Sequence, residues 1–147
     1  MATLYITCGL PGSGKTTLAD AWVGEAPARR ARVNQGDLRA MLHNSVHLGP
    51  ETAVHVRAAR DVLITTLLAA GLDVICDDTN LMKSTINDLV ALAAAEGARV
   101  EFHDLRNVPV EECIRRDAAR ARPVGEAVIR SMDAQLLQEW PSRREPL

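Results

Sequence analysis

Gly9-Leu10-Pro11-Gly12-Ser13-Gly14-Lys15-Thr16-Thr17 is the stretch that decides the fold of this 147-residue chain. It matches the phosphate-binding pattern G-x-x-x-x-G-K-[ST] at Gly9, Gly14, Lys15 and Thr16. The preceding residues 3–8, TLYITC, are apolar and β-branched and predict a buried strand, whereas residues 16–23 predict a helix. Strand, glycine-rich loop and helix together are the context that this pattern needs, which disfavours a chance glycine-rich turn.

Each part of the stretch has a chemical task in a phosphate site. Glycines at 9, 12 and 14 adopt backbone angles closed to other residues, so amide groups can approach an anion closely. The positive end of the following helix adds to this attraction. Lys15 is expected to reach the β- and γ-phosphates, and the Thr16 hydroxyl to ligate Mg²⁺. The residues predicted to bind ATP or another nucleoside triphosphate here are Gly9, Pro11, Gly12, Ser13, Gly14, Lys15, Thr16 and Thr17.

Length and composition predict one globular domain over residues 1–147. The hydrophobic fraction is 47%, and no stretch is long and apolar enough to span a membrane. Because the first strand begins almost at Met1, we expect no signal peptide. Cys8, Cys76 and Cys113 are odd in number and lie in apolar surroundings, which predicts reduced core thiols and a cytoplasmic protein without a membrane partner. The sequence does not indicate an oligomeric state.

The charge pattern restricts the kind of partner. A net charge of −2 argues against a large electrostatic footprint on nucleic acid, and four aromatic residues are too few for a long single-strand channel. Lys15 and Lys83 are the two lysines, and every other basic residue apart from histidine is arginine. We therefore expect phosphate groups to be bound mainly by arginine guanidinium groups, which can donate two parallel hydrogen bonds.

The rest of the chain alternates strands with helices. Strands are predicted near 31–34, 73–77 and 99–105, and helices near 38–43, 52–70, 84–96, 109–120 and 126–140. Residues 35–37 are predicted to be a turn, 43–50 a mobile loop and 141–147 a frayed tail. The alternation predicts an α/β fold, with a central parallel sheet of four to five strands and helices on both faces.

Charged residues collect where the strands end, which is where such sheets bind ligands. Asp78 follows an apolar strand and is the predicted Mg²⁺ carboxylate, with Asp77 as its rival and a helix cap as the alternative role. Arg116 and Arg120 are four residues apart beside a Pro-Gly break. We interpret residues 116–125 as a lid that closes both arginines on the triphosphate, rather than as a solvated helix face that pairs with Glu112.

Five segments together resemble a known family. They are GLPGSGKTT, NQGDLRAML, CDDTNL, VPVEECIRRDAARARPV and VIRSM, and they are similar to the kinase domain of phage polynucleotide 5′-hydroxyl kinase. The resemblance implies a P-loop kinase fold with an arginine-bearing lid. It implies that Lys15 and Thr16 bind phosphate and metal, that Arg116 and Arg120 form the lid pair, that Asp78 is the carboxylate after the third strand, and that Arg39 lies on the acceptor side.

One segment departs from that family. The family pattern Asn-Arg-Asp-Asp-x-Arg carries the general base at its first Asp, where this chain has Gly36. Asp37 either replaces that base, or the acceptor differs, or the activity is lost. Our hypothesis is that Gly36 lets the turn swing Asp37 into the site. The phosphatase domain of the phage enzyme has no counterpart in this sequence.

The sequence thus predicts a phosphotransferase that moves the γ-phosphate of ATP to a hydroxyl, favouring the 5′ end of a nucleic acid. The predicted catalytic residues are Lys15, Asp37, Arg39 and Arg120. One alternative is a kinase of a small-molecule or modified-base hydroxyl. The other is a nucleotide-binding switch without transfer activity.

Overall fold

One parallel sheet organises the computed structural model, which describes residues 1–45 and 49–147. Its strands are β1 (Thr3–Cys8), β2 (Arg30–Val33), β3 (Asp73–Cys76) and β4 (Arg99–Asp104). The helices within those ranges are α1 (Lys15–Glu25), α2 (Gln35–His43), α3 (Pro50–Ala69), α4 (Lys83–Ala95), α5 (Val110–Ala118) and α6 (Glu126–Glu139). Residues 46–48, inside the loop predicted at 43–50, lie outside the described residues.

The strand order β2-β3-β1-β4 places β1 inside the sheet, between β3 and β4. Leu4 and Ile6 of β1 are fully buried in the core that α3 and α4 complete. Because side chains alternate along a strand, Tyr5 points to the other face, where its ring lies 4.9 Å from that of Trp22 in α1. Helices therefore cover both faces of a four-stranded parallel sheet, as predicted.

The carboxyl-terminal residues 141–147, predicted to fray, are instead held against the body of the protein. The Trp140 indole donates a hydrogen bond of 2.8 Å to the Leu81 carbonyl, and Trp140 is 4% exposed. Arg143 forms an ion pair with Asp133 of α6, and Leu147 packs on the core beneath α5 and α6. A second ion pair joins Glu145 to Lys83 at 3.2 Å. The tail shows no apolar periodicity, so its anchoring by one buried tryptophan and these ion pairs left little signal in the sequence.

Residues 35–37 form the first turn of α2 and not the predicted turn. Asn34 caps this helix, since its side-chain oxygen accepts a hydrogen bond of 3.0 Å from the Asp37 amide. The Asp78 carboxylate accepts a second one, of 2.8 Å, from the Gln35 amide. A Cβ at Gly36 would lie 2.9 Å from the capping oxygen of Asn34, so glycine keeps this cap undisturbed.

The three cysteines are buried free thiols. Burial raises the pKa of Cys8 to about 12, and the pKa values of Cys76 and Cys113 are raised for the same reason. These thiols therefore stay protonated, which agrees with their prediction as core residues. None of the helices in 1–45 and 49–147 combines the length and the apolar character needed to cross a membrane.

Candidate active site

The phosphate-binding loop joins the end of β1 to the start of α1. Gly12 and Gly14 adopt φ values of 82° and 99°, which lie in the left-handed region that favours glycine. A Cβ at Gly12 would lie 2.3 Å from the Cys113 carbonyl oxygen, so this glycine also lets the loop pack directly against α5. The Gly9 amide donates a hydrogen bond of 3.0 Å to the Thr79 carbonyl, which ties the loop to the segment after β3.

The first turn of α1 offers backbone donors to an anion. Gly14 is its N-cap and supplies no side-chain hydrogen bond, so amides at the start of the helix keep free N–H groups. Those groups and the helix dipole favour a phosphate at this point. Thr16 and Thr17 are exposed in this turn, whereas Pro11 and Ser13 are buried in the loop.

Lys15 is folded into the loop that precedes it. Its Nζ donates to the carbonyls of Gly9 at 3.0 Å and Leu10 at 2.6 Å, and the residue is 7% exposed. Burial lowers the pKa of Lys15 to about 8, although the nearby carboxylate of Asp77 opposes this shift. The ammonium group thus contacts two carbonyls of the loop. A bound triphosphate would replace these carbonyls as its partner.

Asp77, and not Asp78, contacts the hydroxyl predicted to ligate Mg²⁺. The Thr16 hydroxyl donates a hydrogen bond of 3.1 Å to Asp77 Oδ2, while the buried Asp77 Oδ1 has no partner among the described residues. Burial raises the pKa of Asp77, and the hydrogen bond from Arg32 opposes that shift. Asp78 instead accepts from the amide and the side chain of Gln35, at 2.8 and 3.1 Å. It therefore fits the alternative role of a helix cap.

The donor set at Thr16 and Asp77 fits Mg²⁺. One hydroxyl and one carboxylate with an unpartnered oxygen are hard oxygen ligands, which Mg²⁺ prefers. No group of three or more histidine, cysteine or acidic side chains that could hold a metal occurs within 1–45 and 49–147. Mg²⁺ sites in nucleotide-binding proteins need few protein ligands, because phosphate oxygens and waters supply the rest.

Arg32 of β2 joins three carboxylates, a role that the sequence analysis missed; the longest of these contacts is 3.7 Å, from its Nε to Asp20 Oδ1. Its Nε lies 2.8 Å from Asp77 Oδ2, and its Nη1 lies 2.6 Å from Asp37 Oδ2. The side chain of Asp37 is 69% exposed, and through Arg32 it is joined to Asp77, which accepts the Thr16 hydroxyl. The alternation in Arg30-Ala31-Arg32-Val33 was the available signal, since it sets Arg32 on the face opposite the buried Val33.

Arg39 lies one helical turn beyond Gln35 on the same face of α2. It is half-buried, and its guanidinium makes no hydrogen bond or ion pair within the part of the chain that the structure describes. A half-buried arginine without a carboxylate partner among the described residues is able to bind an incoming anion. Its position is compatible with the acceptor-side role that the resemblance implies.

The two predicted lid arginines occupy different settings. Arg116 Nε pairs with Glu112 at 2.8 Å, and its Nη1 reaches the Ser13 carbonyl of the phosphate loop at 3.5 Å. The i,i+4 pair with Glu112, which belonged to the alternative of a solvated helix face, and a contact with the phosphate loop are thus both present. Arg120 follows the end of α5, is 49% exposed and lies 3.5 Å from Asp117.

Asp117 organises the segment between α5 and α6, and the sequence analysis did not single it out. Its carboxylate is 2% exposed and accepts hydrogen bonds of 2.9 Å from the amides of both Val124 and Gly125. Gly125 is the N-cap of α6, with a φ of 102°. A lone Asp among arginines suggests a surface ion pair, and nothing in the local sequence indicates that it binds backbone seven residues away.

Comparison with known proteins identifies the family. The profile of a family described as an AAA domain matches residues 4–138. No curated protein matches the sequence. Among solved structures, a chain in the Pnkp1/Rnl/Hen1 RNA repair complex superposes with a TM-score of 0.80 at 27% identity, covering 95% of this chain and 45% of that one. This protein thus spans less than half the length of that chain.

Two further structures share the fold at lower identity. The Mycobacterium tuberculosis APS kinase CysC in complex with AMPPNP and APS has a TM-score of 0.65 at 18% identity, covering 80% of this chain and 69% of that one. Chaetomium thermophilum Kti12 in complex with ADP-AlF3 has a TM-score of 0.65 at 21% identity, covering 90% and 79% respectively. The sheet, the glycine-rich loop and these matches lead to one assignment. The chain belongs to the AAA domain family and has a P-loop kinase fold.

Proposed function

We propose that this protein is an ATP-dependent phosphotransferase that moves the γ-phosphate to a hydroxyl, favouring the 5′-hydroxyl of a nucleic acid. One observation carries the proposal: successive contacts join Thr16, Asp77, Arg32 and Asp37 beside the phosphate loop. Thr16 and Asp77 belong to the phosphate side, and Asp37 lies in the first turn of the helix that carries Arg39. A single network therefore links the groups that hold a triphosphate to those that face an acceptor.

On the phosphate side, the protein mainly has to position the triphosphate and neutralise its negative charge. Transfer of a phosphoryl group involves little covalent chemistry by the protein, so cations and fixed amides provide most of the stabilisation. Lys15 and the amides of the loop would hold the β- and γ-phosphates, Arg116 would add charge from its place beside the loop, and Arg120 would approach from the lid. Thr16 and Asp77 would hold Mg²⁺, which supplies charge neutralisation on the phosphates when bound. In this proposal Asp77 takes the metal role that the sequence analysis gave to Asp78.

The acceptor side needs a group that receives the hydroxyl proton. Asp37 is the exposed carboxylate of α2, and Arg32 Nη1 lies 2.6 Å from its Oδ2. A weak base suffices here, because in a loose transition state the proton leaves late and little negative charge builds on the attacking oxygen. The hypothesis that Gly36 lets a turn swing Asp37 inward is replaced by this one, since Gly36 is helical and Arg32 sets the direction of Asp37.

Two observations favour a nucleic-acid 5′ end as the acceptor. Arg39 lies on α2 one turn beyond Gln35, and its guanidinium, which has no partner among the described residues, would bind the phosphate next to a 5′-hydroxyl. The similar chain from the Pnkp1/Rnl/Hen1 complex belongs to an assembly described as an RNA repair complex. The near-neutral charge of −2 favours a small-molecule hydroxyl instead. A switch without transfer activity would bind ATP and need neither Asp37 nor Arg39.

The test is an acceptor screen with ATP labelled on its γ-phosphate. We expect label on 5′-hydroxyl RNA or DNA oligonucleotides but not on 5′-phosphorylated copies. Asp37→Asn should lower the rate by on the order of 10²-fold or more and leave ATP binding unchanged. Asp88→Asn, an exposed carboxylate on α4, is the matched control. Label on small hydroxyl compounds alone would favour the small-molecule kinase, and ATP binding without any transfer would favour the switch.

A further inference from the structure

A cavity lies next to the segment that binds the phosphate loop, and of the site residues described above it includes Gln35 and Asp78. It is bounded by the start of α2, the segment after β3, the start of α4 and the middle of α6, and its volume is about 160 Å³. That is the space of about five waters at roughly 30 Å³ each, enough for one ring-sized group. The Thr79 carbonyl on its wall accepts the hydrogen bond from the Gly9 amide, so the cavity adjoins the loop directly.

The cavity carries almost no charge. Asp78 is its single ionisable lining side chain, and no lysine or arginine lines it within the described residues. Both oxygens of Asp78 already accept hydrogen bonds from Gln35. An anionic group in this space would meet a carboxylate and no countercharge, which is unfavourable in a partly buried site. An uncharged group meets no such penalty.

The remaining lining suits a flat polar ring. Met82 and Met132 contribute thioether side chains from α4 and α6, and thioethers make favourable contacts with aromatic rings. Thr85 and Gln135 also line the cavity. Their side chains have no hydrogen-bond partner in the part of the chain that the structure describes. They can therefore donate to and accept from the edge of a ring.

We propose that this cavity takes the uncharged base of the nucleotide that carries the reacting hydroxyl, and that Met82, Met132 and Gln135 determine this specificity. The inference rests on the proposed function, because it concerns the acceptor of the same site. The acceptor phosphate then lies outside the cavity on Arg39, one turn of α2 beyond Gln35. A nucleoside 3′-phosphate unit fits this arrangement, because its base is uncharged and its phosphate can reach the arginine outside the cavity. Small anionic hydroxyl compounds have no uncharged part for the cavity and are disfavoured.

Methionine methyl groups report on this cavity without any need for catalysis. The chain has four methionines, and Met1 and Met41, which are 85% and 71% exposed, lie outside the cavity. In protein labelled with ¹³C at the methionine methyl groups, thymidine 3′-monophosphate should shift the Met82 and Met132 signals by ring current. The Met1 and Met41 signals should stay in place. Met82→Leu and Met132→Leu assign the two signals.

Two matched ligands decide the outcome. Deoxyribose 3-phosphate, which lacks the base, and gluconate, an anionic hydroxyl compound, should leave the Met82 and Met132 signals unchanged. Equal shifts with either ligand, or no shift of these signals with the nucleotide, would overturn the proposal. If the nucleotide shifts them and no acceptor is ever phosphorylated, the cavity assignment stands and the proposed function fails.

Kinetics supplies the second readout. Gln135→Glu places a carboxylate in the cavity, so the KM for a 5′-hydroxyl oligonucleotide should rise by about 10-fold while the KM for ATP stays constant. Gln138→Glu, at an exposed position of α6 outside the cavity, is the control. An abasic 5′ end should lose about 10-fold or more in kcat/KM with the unaltered protein. Equal efficiency of abasic and ordinary ends would contradict the proposal.

Discussion

The connection between α5 and α6 depends on one buried carboxylate, which makes Asp117→Ala the sharpest perturbation of the lid. Asp117 binds the amides of Val124 and Gly125 at 2.9 Å each. A hydrogen bond to a charged acceptor contributes about 1.5–3 kcal/mol. Val124 and Gly125 are half-buried, so water can replace part of the loss. We therefore take the lower end of this range for each hydrogen bond, so the two together stabilise the segment by about 3 kcal/mol.

That magnitude predicts a large change in lid order. Since about 1.4 kcal/mol corresponds to a factor of ten, Asp117→Ala should lower the ratio of ordered to open lid by on the order of 10²-fold. Asp117→Asn keeps one acceptor oxygen and should lose roughly half of the free energy. Arg120 should then reach the triphosphate less often, which lowers kcat more than it raises the KM for the acceptor.

Limited digestion with trypsin measures the lid without reference to catalysis. Cleavage after Arg120 should accelerate by about 10-fold or more in Asp117→Ala, whereas the bond between Arg122 and Pro123 resists the protease in every variant. Asp88→Ala is the control. If Asp117→Ala does not fold, the hydrogen-exchange rates of the Val124 and Gly125 amides in Asp117→Asn provide the same information. Cleavage at the wild-type rate in a folded Asp117→Ala protein would refute the reasoning.

Three further predictions concern the phosphate side. Lys15→Ala should abolish transfer and leave the melting temperature within a few degrees, which a radiolabel assay and thermal unfolding would check; normal turnover would exclude this phosphate site. ATP binding should take up a large fraction of a proton at pH 8.5 and much less at pH 7, because a triphosphate raises the pKa of Lys15 from about 8 toward its ordinary value. Calorimetry with EDTA in two buffers of different ionisation enthalpy measures this uptake, and equal uptake at the two pH values would contradict it. Asp77→Asn should raise the Mg²⁺ concentration for half-maximal rate by about 10-fold, and Asp78→Asn should mainly lower the melting temperature; the reverse pattern would restore the metal role to Asp78.

The fold could be predicted from the sequence because each strand and helix is indicated by residues that are close together in the chain. The strand before Gly9 and the helix after Thr16 were predicted from periodicity within a few residues, and every strand and helix lies within about three residues of its predicted bounds. The exception at residues 35–37 has a physical cause. Gly36 is a turn former in isolation, yet Asn34 and the distant Asp78 supply the acceptors that let a helix begin at Gln35.

The site was less predictable because its partners are far apart in the chain. The contact of Arg32 with Asp77 spans 45 residues, and that of Thr16 with Asp77 spans 61. Asp77 and Asp78 are adjacent, and alternation along an extended segment sends one toward α1 and the other toward α2. The sequence located both carboxylates at the end of β3, but the choice between them required the position of Thr16.

In the lid that we propose at residues 116–125, the contact between Gly12 and Cys113 limits which part is able to move. The phosphate loop packs on the backbone of α5 so closely that a Cβ at Gly12 would lie 2.3 Å from a carbonyl oxygen. Movement of α5 as a rigid body would therefore disrupt the loop that binds the phosphates, so closure is confined to the segment after Asp117. Arg116, on α5, is already in contact with the loop, and Arg120 lies beyond the point that Asp117 holds. It follows that Arg116 contributes a fixed charge, whereas Arg120 is the arginine whose position depends on lid closure.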